Sequence, residues 1–205
     1  MVPWELSHPF IRMSFFILGG DKVNNELELR ILDVDTKKVM EKLEELGAKK
    51  IGDWHYKRYV YDTKPYVKDK WIRLRTNGIE TTLTYKEYNS ESIDGVKELE
   101  IIVSDLNKTL QILEILGYKP RSIQENKRIR YMLDEVEIDI DTWPHLKPYV
   151  EVEAKTKKEV DSVIEILKEY GSCVTALNAQ GIYEKNGFTQ EDLNNLKFEG
   201  DESNG

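Results

Sequence analysis

Three pairs of glutamates with the spacing E-x-E are the residues of this sequence best suited to chemistry. Each pair lies in a short stretch with strand-like alternation: Glu26 with Glu28, Glu98 with Glu100, and Glu151 with Glu153. Side chains of a strand alternate between its two faces, so both carboxylates of a pair share one face and the apolar residue between them takes the other. Carboxylate oxygens are ligands that Mg²⁺ and similar ions prefer, so these glutamates are candidate metal ligands.

Two pairs of arginines repeat this spacing, Arg73 with Arg75 and Arg128 with Arg130. A sheet face that carries both carboxylates and guanidiniums can hold metal ions together with an anion. The same pattern also fits the solvated face of an open antiparallel sheet with cross-strand ion pairs, and the spacing alone does not decide between the two. Recurrence on several strands favours a binding site, because carboxylates on one face repel one another unless cations lie between them.

Eight stretches have the composition or alternation of strands, and two of the turns between them, Asn77-Gly78 and Asp134-Glu135, are typical of tight hairpins. The predicted strands cover 25–32, 54–62, 71–76, 79–88, 96–104, 124–133, 136–141 and 149–154. This content predicts an α+β protein with a large antiparallel sheet. Eight strands are enough to close a β-barrel wide enough for a small ligand, with helices packed outside.

An amphipathic helix follows each glutamate pair. The helices are predicted to begin at Asp35, Asp105 and Thr156, which are residue types that cap helix N-termini, and each ends at a glycine: Gly47, Gly117 and Gly171. The intervals between the three strand–helix units are unequal, so the chain is not a regular repeat array.

The chain of 205 residues is long enough for one substantial domain, and no break in composition divides it. We predict one folded domain over 24–198, an N-terminal extension over 1–23 and a disordered polar tail over 199–205. The extension contains the apolar run Met13-Ser-Phe-Phe-Ile-Leu18 but no A-x-A type cleavage site, which argues against a signal peptide. We expect the extension either to pack on the domain or to be disordered.

The totals exclude several classes of protein. A net charge of −8 argues against a nucleic-acid binder, and no apolar stretch approaches the roughly 20 residues that cross a bilayer. The single cysteine, Cys173, excludes an internal disulfide and is compatible with the cytoplasm, where we expect this protein. The three histidines His8, His55 and His145 form no zinc pattern with it, and the sequence has no G-x-x-x-x-G-K-[ST] loop.

Seven short segments occur in an order that is informative as a set. They are Glu26-Leu-Glu28-Leu-Arg30, Trp71-Ile-Arg73-Leu-Arg75, Leu83-Thr-Tyr-Lys86, Lys97-Glu98-Leu-Glu100, Lys127-Arg128-Ile-Arg130-Tyr131, Glu137-Ile-Asp139-Ile-Asp141 followed by Tyr149-Val-Glu151-Val-Glu153, and Ile182-Tyr183. In this order they resemble the CYTH superfamily, the triphosphate tunnel metalloenzymes. That superfamily includes class IV adenylate cyclases, thiamine triphosphatases and inorganic triphosphatases.

The resemblance implies a closed eight-stranded tunnel in which basic residues bind a triphosphate: Arg30, Arg73, Arg75, Lys86, Arg128 and Arg130. It assigns catalytic roles to Arg30 and Lys86. It also implies Mg²⁺ or Mn²⁺ as cofactor, with Glu26, Glu28 and Glu153 as preferred ligands. Five further acidic residues would share ligation or support the ligands: Glu98, Glu100, Asp139, Asp141 and Glu151.

The sequence departs from the family at Arg30, where the E-x-E-x-K signature has lysine. Arginine preserves phosphate binding but does not readily lose a proton, so a role as a base at this position is in doubt. Two assignments have a plainer alternative, since Arg130 and Asp141 could each form a peripheral ion pair. Strand residues just before the first arginine pair are interpreted as ordinary sheet residues: Tyr56, Lys57, Arg58, Tyr59 and Tyr61.

Three functions are compatible with such a tunnel. The first is a metal-dependent hydrolase of inorganic triphosphate or of a nucleoside or thiamine triphosphate. The second is an adenylate cyclase, and the third is a non-catalytic binder of polyphosphate or nucleotide. The sequence shows no identifiable set of adenine-reading residues, which favours the hydrolase modestly. A small-molecule triphosphate is the expected partner, and a homodimer is left open.

Overall fold

The structure, a computed structural model, describes residues 24–88 and 96–199, with the side chains of residues 24–26 and 96 excepted. The strands are β1 (Asn24–Leu32), β2 (Lys49–Asp62), β3 (Lys70–Thr76), β4 (Thr81–Tyr88), β5 (Val96–Ile102), β6 (Ser122–Leu133), β7 (Val136–Thr142), β8 (Tyr149–Ala154), β9 (Cys173–Thr175) and β10 (Asn195–Leu196). The α-helices are α1 (Thr36–Glu45), α2 (Leu106–Ile115), α3 (Lys157–Leu167) and α4 (Ala179–Lys185).

Eight of these strands close on one another as a barrel. Antiparallel pairing runs through β6, β2, β3, β4, β5, β1, β8 and β7, and β7 pairs back with β6. Among the described residues, β1 and β5 share the Cα partners Asn24–Glu98, Asn25–Lys97 and Glu26–Val96. From Leu27 onward β1 pairs with β8 instead. The predicted closed eight-stranded antiparallel barrel is therefore confirmed, and the open-sheet alternative is wrong.

The outside of the barrel carries most of the apolar core. Val39 and Leu43 of α1, together with four residues of α3, pack against the outward side chains of β7 and β8, which include Ile138 and Val152. Helix α2 packs Leu113 against Tyr61 and Leu74 on the outside of β2 and β3. Because the helices cover the aliphatic face, the charged face of the strands is directed into the barrel.

The segment after β9 adds a wall that the strands do not supply. Helix α4 is capped by Asn178, whose side chain accepts a hydrogen bond from Gly181 N. Ile182 and Tyr183 of α4 join a second core with Trp143, and Tyr183 Oη donates a 2.6 Å hydrogen bond to Pro144 O. We call residues 177–196 the C-terminal segment, and it lies against the barrel wall.

The helix caps and the hairpin turn between β6 and β7 lie where the sequence predicted them. Asp35, Asp105 and Thr156 are the N-caps of α1, α2 and α3, and Thr156 forms a capping box with Glu159. The hairpin at Asp134-Glu135 joins β6 to β7, and Asp134 has a positive φ of 53°. The main difference is at β2, which begins at Lys49 rather than 54. The predicted extension 1–23 and all of the predicted tail except Glu199 lie outside the described residues.

Candidate functional site

A cavity of about 290 Å³ lies inside the barrel, and its lining contains every basic residue that the sequence predicted there. These are Arg30, Arg73, Arg75, Lys86, Arg128 and Arg130. Five of the predicted acidic residues line the same cavity: Glu28, Glu98, Glu100, Glu151 and Glu153. The side chain of Glu26 lies outside the described residues, and Asp139 and Asp141 are buried in the wall rather than in the lining.

Arg30 is held between two strands and the C-terminal segment. Its Nη2 lies 2.8 Å from Glu28 Oε1 and 2.6 Å from Glu151 Oε2, and its Nη1 donates a 2.9 Å hydrogen bond to Leu177 O. Burial opposes the charged form, but Glu151 and Glu28 outweigh it and raise the pKa of Arg30 well above its usual value. Arg30 therefore stays cationic, and a role as a base is excluded on physical grounds.

Arg128 and Arg130 are anchored to the acidic residues of β7. Arg128 lies 2.5 Å from an oxygen of Asp139 and 2.5 Å from one of Asp141, and Arg130 binds Asp139 at 2.7 Å and Glu137 at 2.6 Å. Asp141 is completely buried. The alternative of peripheral ion pairs at Arg130 and Asp141 is therefore wrong. Asp139 and Asp141 hold the arginines that face the cavity.

The same contacts act on Glu151. Burial would raise the pKa of this carboxyl group, but the positive charges of Arg30 and Arg128 overcome burial and hold its pKa well below the usual range. Cross-strand pairing places Arg30, Glu151, Asp139 and Arg130 in one row across β1, β8, β7 and β6. This row alternates two arginines with two carboxylates, so its formal charges balance.

The part of the cavity formed by β2 and β3 differs from this row, because three arginines lie close together there. Arg58 and Arg75 are Cα partners on β2 and β3, and both line the cavity with Arg73. Burial and the charges of Arg73, Arg75 and Arg128 lower the pKa of Arg58 to about 9. Burial and the neighbouring Arg73 lower the pKa of Arg75 to about 10. We call Arg58, Arg73 and Arg75 the arginine wall.

Arg58 has neutral partners where the other cavity arginines have carboxylates. Its Nε donates a 2.8 Å hydrogen bond to Asn126 Oδ1, and its guanidinium stacks 4.5 Å from the ring centre of Trp143. Within the described part of the chain no carboxylate lies within ion-pair distance of it. The interpretation of Arg58 as an ordinary strand residue is wrong. The alternation of β2 places Arg58 on the same face as Tyr56 and Val60, which could have indicated that it faces the cavity. Tyrosines occur on both faces of β2, however, so the sequence did not show which face is directed inward.

Several buried donors of the site lack an acceptor among the described residues. They are Nε of Arg30, Nε of Arg73 and Nε1 of Trp143, and all three residues line the cavity. A buried donor without an acceptor costs about 1–3 kcal/mol. An anion with several oxygens supplies acceptors for such donors and neutralises the arginine wall as well. Trp143 was not predicted as a site residue, since an isolated tryptophan has no diagnostic spacing.

Lys86 of β4 also lines the cavity. It forms an ion pair with Glu98, which also lies 3.6 Å from Arg73 Nη2. Glu100 binds the same arginine at 3.3 Å and accepts a 2.6 Å hydrogen bond from Thr84 Oγ1. Glu98 and Glu100 thus orient the basic groups of β3 and β4.

The carboxylates that could hold a divalent metal ion form a second cross-strand row. Glu28, Glu153 and Glu137 are direct neighbours on β1, β8 and β7, and all three line the cavity. In the part of the chain that the structure describes, no three acidic, histidine or cysteine side chains converge on a common point at ligand distance. The donor set still suits Mg²⁺ or Mn²⁺, which take carboxylate oxygens. Glu137 was not among the predicted ligands, although its alternation with Asp139 and Asp141 was visible.

The C-terminal segment contributes uncharged groups to the lining, including Asn178, Gln180 and Gln190. None of these was predicted as a site residue, because amides in a loop and a short helix have no recognisable pattern. Among the described residues no helix is long and apolar enough to span a membrane.

The CYTH domain family matches residues 24–175, and the chain belongs to this family. A protein of Methanocaldococcus jannaschii named "Putative adenylate cyclase" is 28% identical over 160 residues, which covers 75% of this chain and 89% of that protein. Members of the family thus include proteins named as enzymes.

Solved structures share the fold. The PH1819 protein of Pyrococcus horikoshii OT3 has a TM-score of 0.61 at 22% identity, with 78% of this chain and 99% of that chain covered. A Hippeastrum protein described as a "putative adenylyl cyclase" with "a dominant" triphosphatase activity has a TM-score of 0.56 at 16% identity, with 79% and 95% covered. These likenesses confirm the architecture that the sequence predicted.

Proposed function

We propose that this protein is a metal-dependent phosphohydrolase that binds an inorganic or organic triphosphate inside its barrel. The observation that carries the proposal is the arginine wall, where like charges crowd together beside buried donors that lack acceptors. A triphosphate carries about four negative charges and many acceptor oxygens, so it would relieve both the repulsion and the missing hydrogen bonds.

The residues that line the cavity would have different roles in the reaction. Arg58, Arg73 and Arg75 bind and orient the phosphate chain, and Lys86 neutralises charge at the reacting end. Arg30 stays cationic and positions phosphate oxygens rather than moving a proton. A divalent ion held by Glu28 and Glu153, with Glu137 in the same row, would supply Lewis-acid charge neutralisation when bound. Glu26 remains an expected ligand. Phosphoryl transfer needs little more than such positioning and charge stabilisation.

Cyclisation of ATP to cyclic AMP is the second candidate. The name of the Methanocaldococcus jannaschii relative favours it. The activity described for the Hippeastrum protein supports hydrolysis. The two reactions use the same phosphate-binding groups and differ in which phosphorus meets the nucleophile, so the arginine wall serves either.

The test is a panel of substrates with the purified full chain. Tripolyphosphate, ATP and thiamine triphosphate are each incubated with Mg²⁺ or Mn²⁺, and orthophosphate and cyclic AMP are measured in parallel. Orthophosphate release that stops on chelation supports the proposal. Cyclic AMP with pyrophosphate supports the second candidate. Binding of all three compounds without any turnover means that the protein is a binder, and the proposed hydrolase is then wrong.

A further inference from the structure

Tyr149, the first residue of β8, is a further polar side chain that lines the cavity. Only 2% of its surface is exposed. It lies on the same face of β8 as Glu151 and Glu153, because residues two and four positions apart share a face of a strand. Its Cα partner on β7 is Asp141. β8 therefore directs three polar side chains into the barrel, and one of them is a phenol.

The two ends of the Tyr149 side chain have different surroundings. The residue belongs to the second core, which the C-terminal segment completes. Its hydroxyl group interacts electrostatically with Asp141, Glu151, Arg30 and Arg128. A tyrosine can satisfy both surroundings, since it has an apolar ring and a polar tip. Tyr149 thus lies at the boundary between the packed end of the barrel and its charged interior.

The hydroxyl of Tyr149 makes no hydrogen bond to any residue that the structure describes. Tyr183 provides the contrast, because it belongs to the same core and is equally buried. Its hydroxyl donates a 2.6 Å hydrogen bond to Pro144 O. Buried tyrosine hydroxyls usually have such a partner. In the ligand-free protein the Tyr149 hydroxyl is therefore an unused donor that faces the cavity.

The two carboxylates beside this hydroxyl are already bound to arginines. Asp141 forms its ion pair with Arg128, and Glu151 binds both Arg128 and Arg30. Arg30 has an unused donor of its own, since its buried Nε also lacks an acceptor among the described residues. A phosphate group has several acceptor oxygens and can accept hydrogen bonds from both a guanidinium and a phenol. A neutral phenol adds a donor without adding to the repulsion among the arginines.

The position of Tyr149 along β8 indicates which part of a phosphate chain it would meet. Glu153 belongs to the row of carboxylates that suits a divalent ion, and Tyr149 lies four residues away on the same strand, about 13 Å along it. Arg30 and Glu151 lie between the two positions, because they are Cα partners in the intervening row. Tyr149 is thus remote from the carboxylates that would hold the metal ion at the reacting end.

We propose that Tyr149 is a further substrate-binding residue, whose hydroxyl donates a hydrogen bond to a phosphate oxygen at the end of the chain remote from the carboxylate row. This role requires a triphosphate in the cavity and so rests on the proposed function. A contact remote from the reacting phosphorus is equally strong in the ground state and the transition state, so it contributes to binding rather than to the rate of the chemical step.

Tyr149→Phe tests this role, because it removes the hydroxyl and keeps the ring. We expect the Kd for tripolyphosphate, measured by calorimetry with the full chain, to rise about tenfold through loss of a hydrogen bond to a charged group. With a triphosphate that the protein hydrolyses, KM should rise by the same factor while kcat stays unchanged. Tyr131→Phe removes the hydroxyl of a tyrosine buried in the core outside the barrel, and it should leave Kd and KM unchanged.

Thermal unfolding of the ligand-free variants separates binding from a structural role. Tyr149→Phe should keep the Tm of the unaltered chain, whereas Tyr183→Phe should lower it through loss of the bond to Pro144 O. A Tm that falls as far in Tyr149→Phe as in Tyr183→Phe would contradict the proposal. An unchanged Kd, or a fall in kcat with KM unchanged, would overturn it and leave the proposed function intact. If the unaltered chain bound no triphosphate, the proposed function would be wrong and the role of Tyr149 with it.

Discussion

Arg58 and Arg75 face each other across β2 and β3, on one wall of the cavity, without a carboxylate between them. Arg58 is tied to Asn126 and Trp143 and Arg75 stacks 4.8 Å from Tyr56, with Glu100 at 3.8 Å. Buried like charges on directly opposite residues lower the stability of the ligand-free protein. Arg58 is held in place by neutral groups and Arg75 by Tyr56 and Glu100, so both are positioned before an anion binds.

Replacement of Arg58 should therefore have opposite effects on the thermal stability of the ligand-free protein and on its affinity for tripolyphosphate. We expect Arg58→Gln to raise the Tm of the ligand-free protein by about 2–4 °C, because it removes a buried charge worth about 1 kcal/mol of repulsion and desolvation. The same variant should bind tripolyphosphate about 10–100-fold more weakly, from the loss of a charged hydrogen bond. Thermal unfolding with and without tripolyphosphate measures both effects. Lys57→Gln, on the exposed face of the same strand, is the control, and a lower Tm in Arg58→Gln would show that the wall is not under repulsion.

Arg30 joins the barrel to the C-terminal segment through Leu177 O, and lysine cannot keep all three of its contacts. We expect Arg30→Lys to lower the free energy of unfolding by about 1–3 kcal/mol, since a buried charged hydrogen bond is lost. Amide exchange should rise in α4 while it stays unchanged in α3. Denaturant unfolding and hydrogen exchange measure these changes. An unchanged exchange pattern in α4 would mean that the Leu177 contact does not hold the segment.

Among the candidate metal ligands whose side chains the structure describes, Glu28 can be tested most directly. We expect Glu28→Gln to reduce Mg²⁺- or Mn²⁺-dependent release of orthophosphate at least 100-fold, because a neutral amide is a poorer ligand for a hard cation. Glu135→Gln changes an exposed glutamate paired with Lys155 and serves as the matched control. Metal titration followed by calorimetry distinguishes lost metal binding from misfolding. Full activity in Glu28→Gln would remove this residue from the metal site.

The depressed pKa of Glu151 predicts how stability depends on pH. A carboxyl group whose pKa is lower in the folded state stabilises the protein above its unfolded pKa of about 4.5, and this contribution is lost as the pH falls below that value. We expect Glu151→Gln to be less stable than the unaltered protein by about 3 kcal/mol at pH 7. The difference should shrink steadily below pH 4.5, as followed by urea unfolding at several pH values. A difference that grows in acid would contradict the assignment.

Most of the site was readable from the sequence, because period-two alternation fixes which side chains share a face. Every E-x-E and R-x-R side chain that the structure describes lines the cavity, as the alternation predicted. The predicted hairpin at Asp134-Glu135 makes β6 and β7 neighbours, but alternation does not show that Asp139 and Asp141 bind arginines rather than a metal ion. It also could not show that Trp143 and the C-terminal segment approach the cavity, since those contacts arise from tertiary packing. Arg58 was missed because its partners are neutral and far along the chain.

The position of β1 in the barrel has a consequence for synthesis. β1 leaves the ribosome first, yet its partners are Val96–Glu98, Val150–Ala154 and Cys173–Thr175. The strand that carries Glu28 and Arg30 must therefore wait until more than 140 further residues have been made before its pairing is complete. Such long-range pairing is slow and exposes strand edges while it is pending. For this chain, the charged cavity therefore cannot be complete before its lining residues up to Leu196 have been made.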